Sequence, residues 1–432
     1  MSDIAAENIA LLRSRWPQLA EKILASPPPQ DMQWDETGNH PTLVIAGARL
    51  WSAYDSDAEA QMQAGMIPQD SEHAAVYGIG GADLIRELLQ RPQLKTLYVI
   101  VLNTGVLHVL LHCLDHRGWL QDSRVTLVDG ATQNKVLLPF AVIPPCLKLS
   151  TPDNAKLHDM LVSELILPFE RERHRQLEPL RKRQIEQNLT FVEQDGDVQE
   201  LFDTQPGSTA FVAIAGPTLA KTAGWIKRHR TEGMVIAVDG ALKPLLDEGI
   251  TPDIVVSVDD NRETILRYFQ IDLEPCRDAR LVYTPLVHND ILKLWPGRRL
   301  TSYTFESIYH DVKARFPKGE LFVAGSVSHP AVDLAAKIGA QTIYLFGADF
   351  GFPGGKIHAN TEAPADFYAA ASQAGASAMD GHGKRIPTMT SFNGYRLGLE
   401  HYIGRNSAIR FINASRDGAH IQGTTYLEDT AA

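Results

Sequence analysis

The chain has 432 residues, of which 44% are hydrophobic and 22% charged, a balance that excludes a disordered or fibrous protein and suits more than one core. Fifty-two acidic against 41 basic side chains give a net charge of -11, which excludes a general nucleic-acid binder but leaves a local basic pocket open. Three scattered cysteines, Cys113, Cys146 and Cys276, exclude a disulfide framework or zinc cluster, and no apolar run spans a bilayer, so the expected compartment is the cytoplasm without membrane insertion.

In chain order, "MSDIAAENIALLRSRWPQLAEKI" predicts an amphipathic helix rather than a signal peptide, followed by a Pro-rich connection, so that residues 1–41 form a helical N-terminus. Residues 42–150 alternate strands ("TLVIAGA", "AAVYGIGG", "TLYVIVLN", "RVTLVDG") with helices ("ADLIRELLQR", "HVLLHCLDHRGWL"), the pattern of parallel βαβ units. The turn Gly78-Ile79-Gly80-Gly81 has the form that admits a cofactor phosphate. The next strand, however, ends in Asn103, where a nucleotide fold places Asp or Glu for the ribose, so the turn is read as scaffold.

Residues 151–205 are helical and heavily charged, and are expected to be a linker interrupted at Pro168 and Pro179. A second α/β series fills 206–432, with strands expected at "STAFVAIAGP", "MVIAVDG", "DIVVSVDD", "RLVYTPLV", "ELFVAG" and "TIYLFGADFG", then a helical and tail segment. The fold class is therefore α/β: two Rossmann-like three-layer α/β/α domains joined by a helical linker, with a helical N-terminus.

The chemistry-bearing residues cluster in the second half. At Gly216-Pro217-Thr218 a strand turns into a helix, and the free amides and dipole of a helix start hold anions. A ligand-free tight turn fits the same residues equally well. The basic run Lys227 to Arg230 falls at the far end of that helix, where it complements the negative terminus and is not assigned to a ligand. Asp239 and Asp259 follow strands, where carboxylates of a parallel sheet meet ligands, whereas Asp253 lies in a turn before its strand and reads as structural. Ser326 and Ser328 precede a helix, and Gly347 and Asp349 end another strand. These nine residues, Gly216, Pro217, Thr218, Asp239, Asp259, Ser326, Ser328, Gly347 and Asp349, form the candidate nucleotide or phosphate site. His358 and His382 lie in Gly-rich loops, where a histidine either takes a proton from a hydroxyl or is merely exposed.

"VAIAGPTLAKT", "IAVDGALKPLLDEGITPDIVVSVD", "TIYLFGADFGFPGGKIHA" and "INASRDGAHIQGT" occur in the order seen in motility-associated factor (Maf) proteins, which the chain resembles over roughly 208–428. Maf proteins are flagellin glycosyltransferases that share a domain with archaeal 6-hydroxymethylpterin diphosphokinases. The half at 42–150, with "YGIGG" and "LYVIVLN", is similar to the Maf N-terminal domain, which the shorter pterin kinases lack. The second half also resembles bacterial sialyltransferases using CMP-activated nonulosonic sugars. Their Gly-Pro-Ser turn is matched by Gly216-Pro217-Thr218, their Gly-x-Asp-Phe element by Gly347 to Phe350, and their Gly-His-Ser loop is approached by Gly381-His382-Gly383. Their phosphate-binding tyrosines are absent, and Phe352 stands near one such place.

The resemblance implies transfer of a nonulosonic sugar from a CMP donor to Ser or Thr of flagellin, with His382 as first choice of base and His358 as second. Lys384 and Arg385 would offset the sugar carboxylate or phosphate. It implies no required cofactor and no metal, although Mg²⁺ is compatible; the partners are flagellin and the nucleotide sugar, without nucleic acid, and an oligomer is compatible. Two alternatives stand beside it: a pterin diphosphokinase-like enzyme using ATP and Mg²⁺, and a non-catalytic flagellar assembly factor that binds a sugar nucleotide.

Overall fold

The computed structural model describes residues 3–359, 361–362 and 377–427, and the chain divides into two compact units, Met1–Glu164 and Leu165–Ala432. The first unit opens with two helices, Asp3–Arg15 and Pro17–Ala25, where the sequence suggested one. Pro17 has no amide to continue the first helix, and its fixed φ suits the first turn of the second. The buried Asn8 side chain donates to Leu111 O and Leu114 O at 2.9 and 2.8 Å, tying the first helix to the helix Thr104–Cys113.

Strands β1 (Met32–Asp35), β2 (Thr42–Ile45) and β3 (Ala48–Arg49) form a small antiparallel sheet. "TLVIAGA" is thus a strand, but not part of a parallel sheet: Ala46 and Gly47 take positive φ (47° and 73°) and fold the chain back on itself. Strands β4 (His73–Tyr77), β5 (Thr96–Val101), β6 (Val125–Asp129) and β7 (Phe140–Val142) form a parallel sheet in the order β6-β5-β4-β7.

The order reverses at β4, where Gly78 begins the glycine turn. The turn is packed from inside: a Cβ on Gly78 (φ +94°) would sit 2.3 Å from Cys146 Cβ. The Cys146 thiol takes the amides of Ile79 and Gly80, and burial pushes its pKa up. The Cys146 side chain thus backs the turn from inside the fold.

The charged stretch is one helix, Ala155–Gln187, continuous through Pro168 and Pro179, followed by Leu189–Gln194. The prolines are about three turns apart, so the two missing amides fall on one face and the hydrogen-bond rows on the other faces run on.

The second unit contains β8 (Gly196–Asp197), β9 (Thr209–Ala213), β10 (Met234–Val238), β11 (Ile254–Ser257), β12 (Arg280–Tyr283), β13 (Arg299–Thr301), β14 (Thr342–Phe346), β15 (Lys356–His358), β16 (Thr361–Glu362), β17 (Ser377–Met379), β18 (Arg385–Pro387), β19 (Arg410–Asn413) and β20 (Thr425–Tyr426). Nine of these make a parallel sheet in the order β20-β19-β14-β9-β10-β11-β12-β13-β8, and β15-β16 and β17-β18 form two hairpins. The central strands are buried on both faces, which is why they read as continuous apolar runs such as "AFVA" and "IVVS". From β9 the chain progresses through β13 in one direction, and β14 then returns to the other side of β9. That reversal is the topological switch point, outside which ligands of open α/β sheets bind.

"ELFVAG" is not a strand. Glu320 makes only an isolated bridge with Tyr303, because acceptors on the next helix capture the amides that a ladder would use. Phe322 N donates to Asp333 Oδ2 at 2.7 Å, while Ala324 N and Ser326 N donate to His329 Nδ1 at 3.1 and 3.3 Å. Among the described residues no helix is long and apolar enough to cross a membrane.

Candidate functional site

The switch point is built from backbone packed on backbone. Ile214 N donates to Phe346 O at 2.8 Å and Gly216 N to Gly347 O at 3.0 Å, so β9 and β14 stay paired beyond their strand ends. Such closeness requires glycine: a Cβ on Gly216 would lie 2.3 Å from Gly347 O, and one on Gly347 (φ +66°) 2.2 Å from Ile214 O.

Asp349, buried just beyond β14, receives the Thr218 amide at 2.7 Å and the Thr218 hydroxyl at 2.6 Å. Burial raises its pKa to about 6 despite these two bonds. Thr218 occupies the N-cap position of the helix Leu219–Arg228, where a hydroxyl side chain would ordinarily cap the helix amides, but its side chain bonds Asp349 instead. Pro217 lies one residue before that cap, outside the helix. Both Thr218 groups are engaged by a protein carboxylate, and the charge of Lys221, in the first turn of the helix, acts on that carboxylate. The basic run at its far end is used locally: Arg230 pairs with Asp253 at 2.7 Å, His229 stacks on Trp225 and Lys227 bonds Glu248 O.

Next along the same edge, Asp239 follows β10. Its Oδ1 accepts Gly240 N at 2.7 Å and its Oδ2 accepts the hydroxyl of Ser257, the last residue of β11, at 2.9 Å. Burial, with Asp259 nearby, raises its pKa to about 7. Asp259 is exposed and accepts Asn261 N at 2.9 Å, but desolvation, and secondarily the charge of Asp260, pushes its pKa upward. Burial and both carboxylates also raise the Tyr268 phenol. Among the described residues no group of three His, Cys, Asp or Glu side chains is placed to hold a metal ion.

A pH dependence of stability follows. The folded pKa of Asp239 exceeds its unfolded value, so the native state binds the extra proton, and stability falls as pH rises from about 4 to about 7. At about 1.4 kcal/mol per pKa unit the loss is on the order of a few kcal/mol. Asp239→Asn, which does not titrate, is expected to lose less stability across this window than the wild type in urea unfolding at matched pH. Asp349 has the same sign. His329, which burial pushes to about 4, has the opposite sign, so the comparison is between variant and wild type at each pH.

Ser326 and Ser328 sit at the start of the helix Ser328–Ile338, which packs on β9, β10 and β14, so their loop lies at the strand-end edge of the switch point. Their hydroxyls are 2.9 Å apart, and His329 pins the loop through the bonds above and through Nε2, 2.8 Å from Tyr395 O. Gly325 (φ +90°) presses against the Tyr395 ring, where a Cβ would come within 2.6 Å. Nothing in the sequence marked His329 except its place in the first turn of that helix.

His382 lies in the turn of the β17-β18 hairpin. Asp380 Oδ1 accepts the amides of His382 and Lys384 at 2.9 and 2.7 Å and so shapes the turn. The hairpin is held to the segment after β19 by an Asp380–Ala419 bridge and by Gly381 N donating to Arg416 O at 2.8 Å. That segment also touches the switch point: Ala419 N donates to Asp349 O at 2.7 Å, and a Cβ on Gly418 would come within 2.5 Å of Asp349 Oδ1. His382 Nε2 is 3.3 Å from Asp417 Oδ1, and Asp417 Oδ2 is 2.7 Å from Lys221 Nζ. A chain of groups therefore runs from the candidate base to the helix that follows Gly216.

Asp417 and Lys221 were missed from the sequence. Asp417 follows a strand in "INASRDG", so the strand-end rule that found Asp239 and Asp349 would have found it. Lys384 is exposed in the His382 turn, and Arg385 donates to Ser377 Oγ across the hairpin. His358 ends β15, and its neighbour Ala359 donates to Ala215 O at 3.0 Å, beside the Gly216 turn; the His358 side chain lies outside the described residues. Phe352 is a core residue packed against Phe392.

This arrangement defines an α/β protein whose candidate residues gather at the strand ends beside the switch point of its larger sheet. Residues 183–355 match the family model described as 6-hydroxymethylpterin diphosphokinase MptE-like, which bears out the resemblance to the domain shared with the archaeal pterin kinases. Among solved structures the chain is similar to a MAf glycosyltransferase from Magnetospirillum magneticum AMB-1, at 15% identity and a TM-score of 0.44, over 100% of this chain and 75% of that one. No curated protein matches it.

Proposed function

We propose that the chain is a glycosyltransferase that moves a nonulosonic sugar from a CMP-activated donor to Ser or Thr of flagellin, acting in the cytoplasm. The observation that carries this reading is the placement of His382: paired with Asp417, and linked through it to the helix that begins at the switch-point glycines. A proton acceptor beside an anion-binding strand edge suits displacement by a hydroxyl at a carbon bearing a phosphate leaving group. In that reaction the acceptor oxygen attacks the anomeric carbon and CMP departs. The Ser326 and Ser328 hydroxyls, with Lys221 as the nearby cation, would stabilise the phosphate charge, since the Gly216 and Thr218 amides are already taken by Gly347 O and Asp349. Phosphate of CMP is already a competent leaving group, so the reaction does not demand a divalent metal. Lys384 and Arg385, exposed on the His382 hairpin, would face the sugar carboxylate.

The MptE-like match over 183–355 favours one competing reading, a pterin diphosphokinase-like enzyme with ATP and Mg²⁺. Calorimetry separates the two: CMP binding unaffected by EDTA is expected for the transferase, whereas tight MgATP binding without CMP binding would assign the kinase. Mass spectrometry of flagellin from cells with and without the gene then tests the reaction. A sugar-sized mass loss is expected, and unchanged flagellin would remove the transferase reading.

A further inference from the structure

We infer that Asp417 is the positioning residue for His382, and that Nδ1 rather than Nε2 is the ring atom that takes the acceptor's proton; the second half of this inference rests on the transferase reading above. A neutral imidazole carries one N–H, and the tautomer is set by what the other nitrogen meets. Here Nε2 faces a carboxylate oxygen at 3.3 Å, which accepts but does not donate, so the hydrogen belongs on Nε2. The Nδ1 lone pair is then left for chemistry, with no hydrogen-bonding partner among the described residues.

Both members of the pair are held from behind. The His382 amide is fixed by Asp380 Oδ1, while Asp417 is fixed by Lys221 Nζ at 2.7 Å and by its own amide donating to Ser415 Oγ at 3.1 Å. Lys221, and after it His382, hold the Asp417 carboxyl below its usual range, so it remains an anion and does not itself collect the proton. In the step, the acceptor oxygen forms its bond to the anomeric carbon and its proton passes to Nδ1. The bond from that carbon to the phosphate oxygen breaks, and its electron pair leaves with CMP. The imidazolium so formed points Nε2–H at Asp417.

The test uses the full chain with ¹⁵N-labelled histidine, at a pH where the ring is neutral, together with the variants Asp417→Ala and Asp417→Glu. Ring nitrogen shifts of the wild type are expected to report the Nε2–H form, and those of Asp417→Ala a mixture of both tautomers. Transfer by Asp417→Ala is expected to lose roughly tenfold to a hundredfold in kcat with the donor KM within about twofold, and Asp417→Glu to recover part of the loss. Unfolding curves that overlay the wild type exclude a folding defect as the cause.

An Nδ1–H wild-type ring, or identical ring spectra and kcat in Asp417→Ala, overturns the inference. The spectra need no donor, so the two failures can be told apart. A chain that keeps the Nε2–H form but transfers no sugar removes the transferase reading and the proton step with it, while the positioning by Asp417 stands.

Discussion

Replacing His382 with alanine is expected to lower sugar transfer about 10²- to 10⁴-fold while leaving CMP binding within about twofold, because a general base acts on the acceptor and not on the nucleotide. The geometry supports this separation. His382 sits at a hairpin turn, roughly half exposed, and among the described residues its side chain pairs only with the part-exposed Asp417, so its removal leaves no buried group unpaired. The switch-point struts, Thr218 on Asp349 and Gly216 on Gly347, do not involve it. Transfer rate and CMP affinity of the purified variant check the expectation. Retained transfer would move the base to His358 or discard the mechanism, and lost CMP binding would mean that the hairpin contributes to the nucleotide site.

Gly347→Ala is expected to have the largest effect on stability, about 3–5 kcal/mol, read as a lower urea midpoint. Two costs add at this position. The left-handed backbone at φ +66° disfavours any Cβ by about 1–2 kcal/mol. The new methyl would also overlap Ile214 O at 2.2 Å, with Leu219 Cβ at 3.0 Å and Gly216 O at 3.1 Å. Two of these are backbone atoms of the paired turn, which cannot swing aside as a flexible side chain could, so relief means parting β9 from β14. Gly354 supplies the control, since it has nearly the same φ, +63°, but no atom of the described residues within 4 Å of its Cβ position. Gly354→Ala should therefore cost about 1–2 kcal/mol, the backbone term alone. Equal costs at the two glycines would mean that the switch point is less tightly packed than described.

Much of the second half was legible because local sequence carries the relevant physics. Runs such as "AFVAIAG" and "MVIAVDG" are apolar on both faces, which only a strand covered on both sides satisfies, and glycine at their ends marks where backbone must meet backbone. Strand-end carboxylates were correspondingly easy to nominate. The failures have separate causes. "ELFVAG" has a strand's composition, but His329 and Asp333 captured its amides from the following helix. "TLVIAGA" is a strand whose partners are its own neighbours. The stretch around Pro168 and Pro179 is one helix because neither proline removes more than its own bond from the row.

Local sequence was enough for the class of the fold, the glycine turns, the acidic side chains at strand ends and the histidines in glycine-rich loops, since all of these follow from local backbone preference and burial pattern. Tertiary structure decided how those groups pair. Asp349 takes Thr218 across 131 residues, Lys221 meets Asp417 across 196, and His382 reaches the same carboxylate from its own hairpin. Each meeting depends on where β14 and β19 come to lie in the sheet, and that order is settled by packing the whole sheet, which no single stretch of sequence encodes.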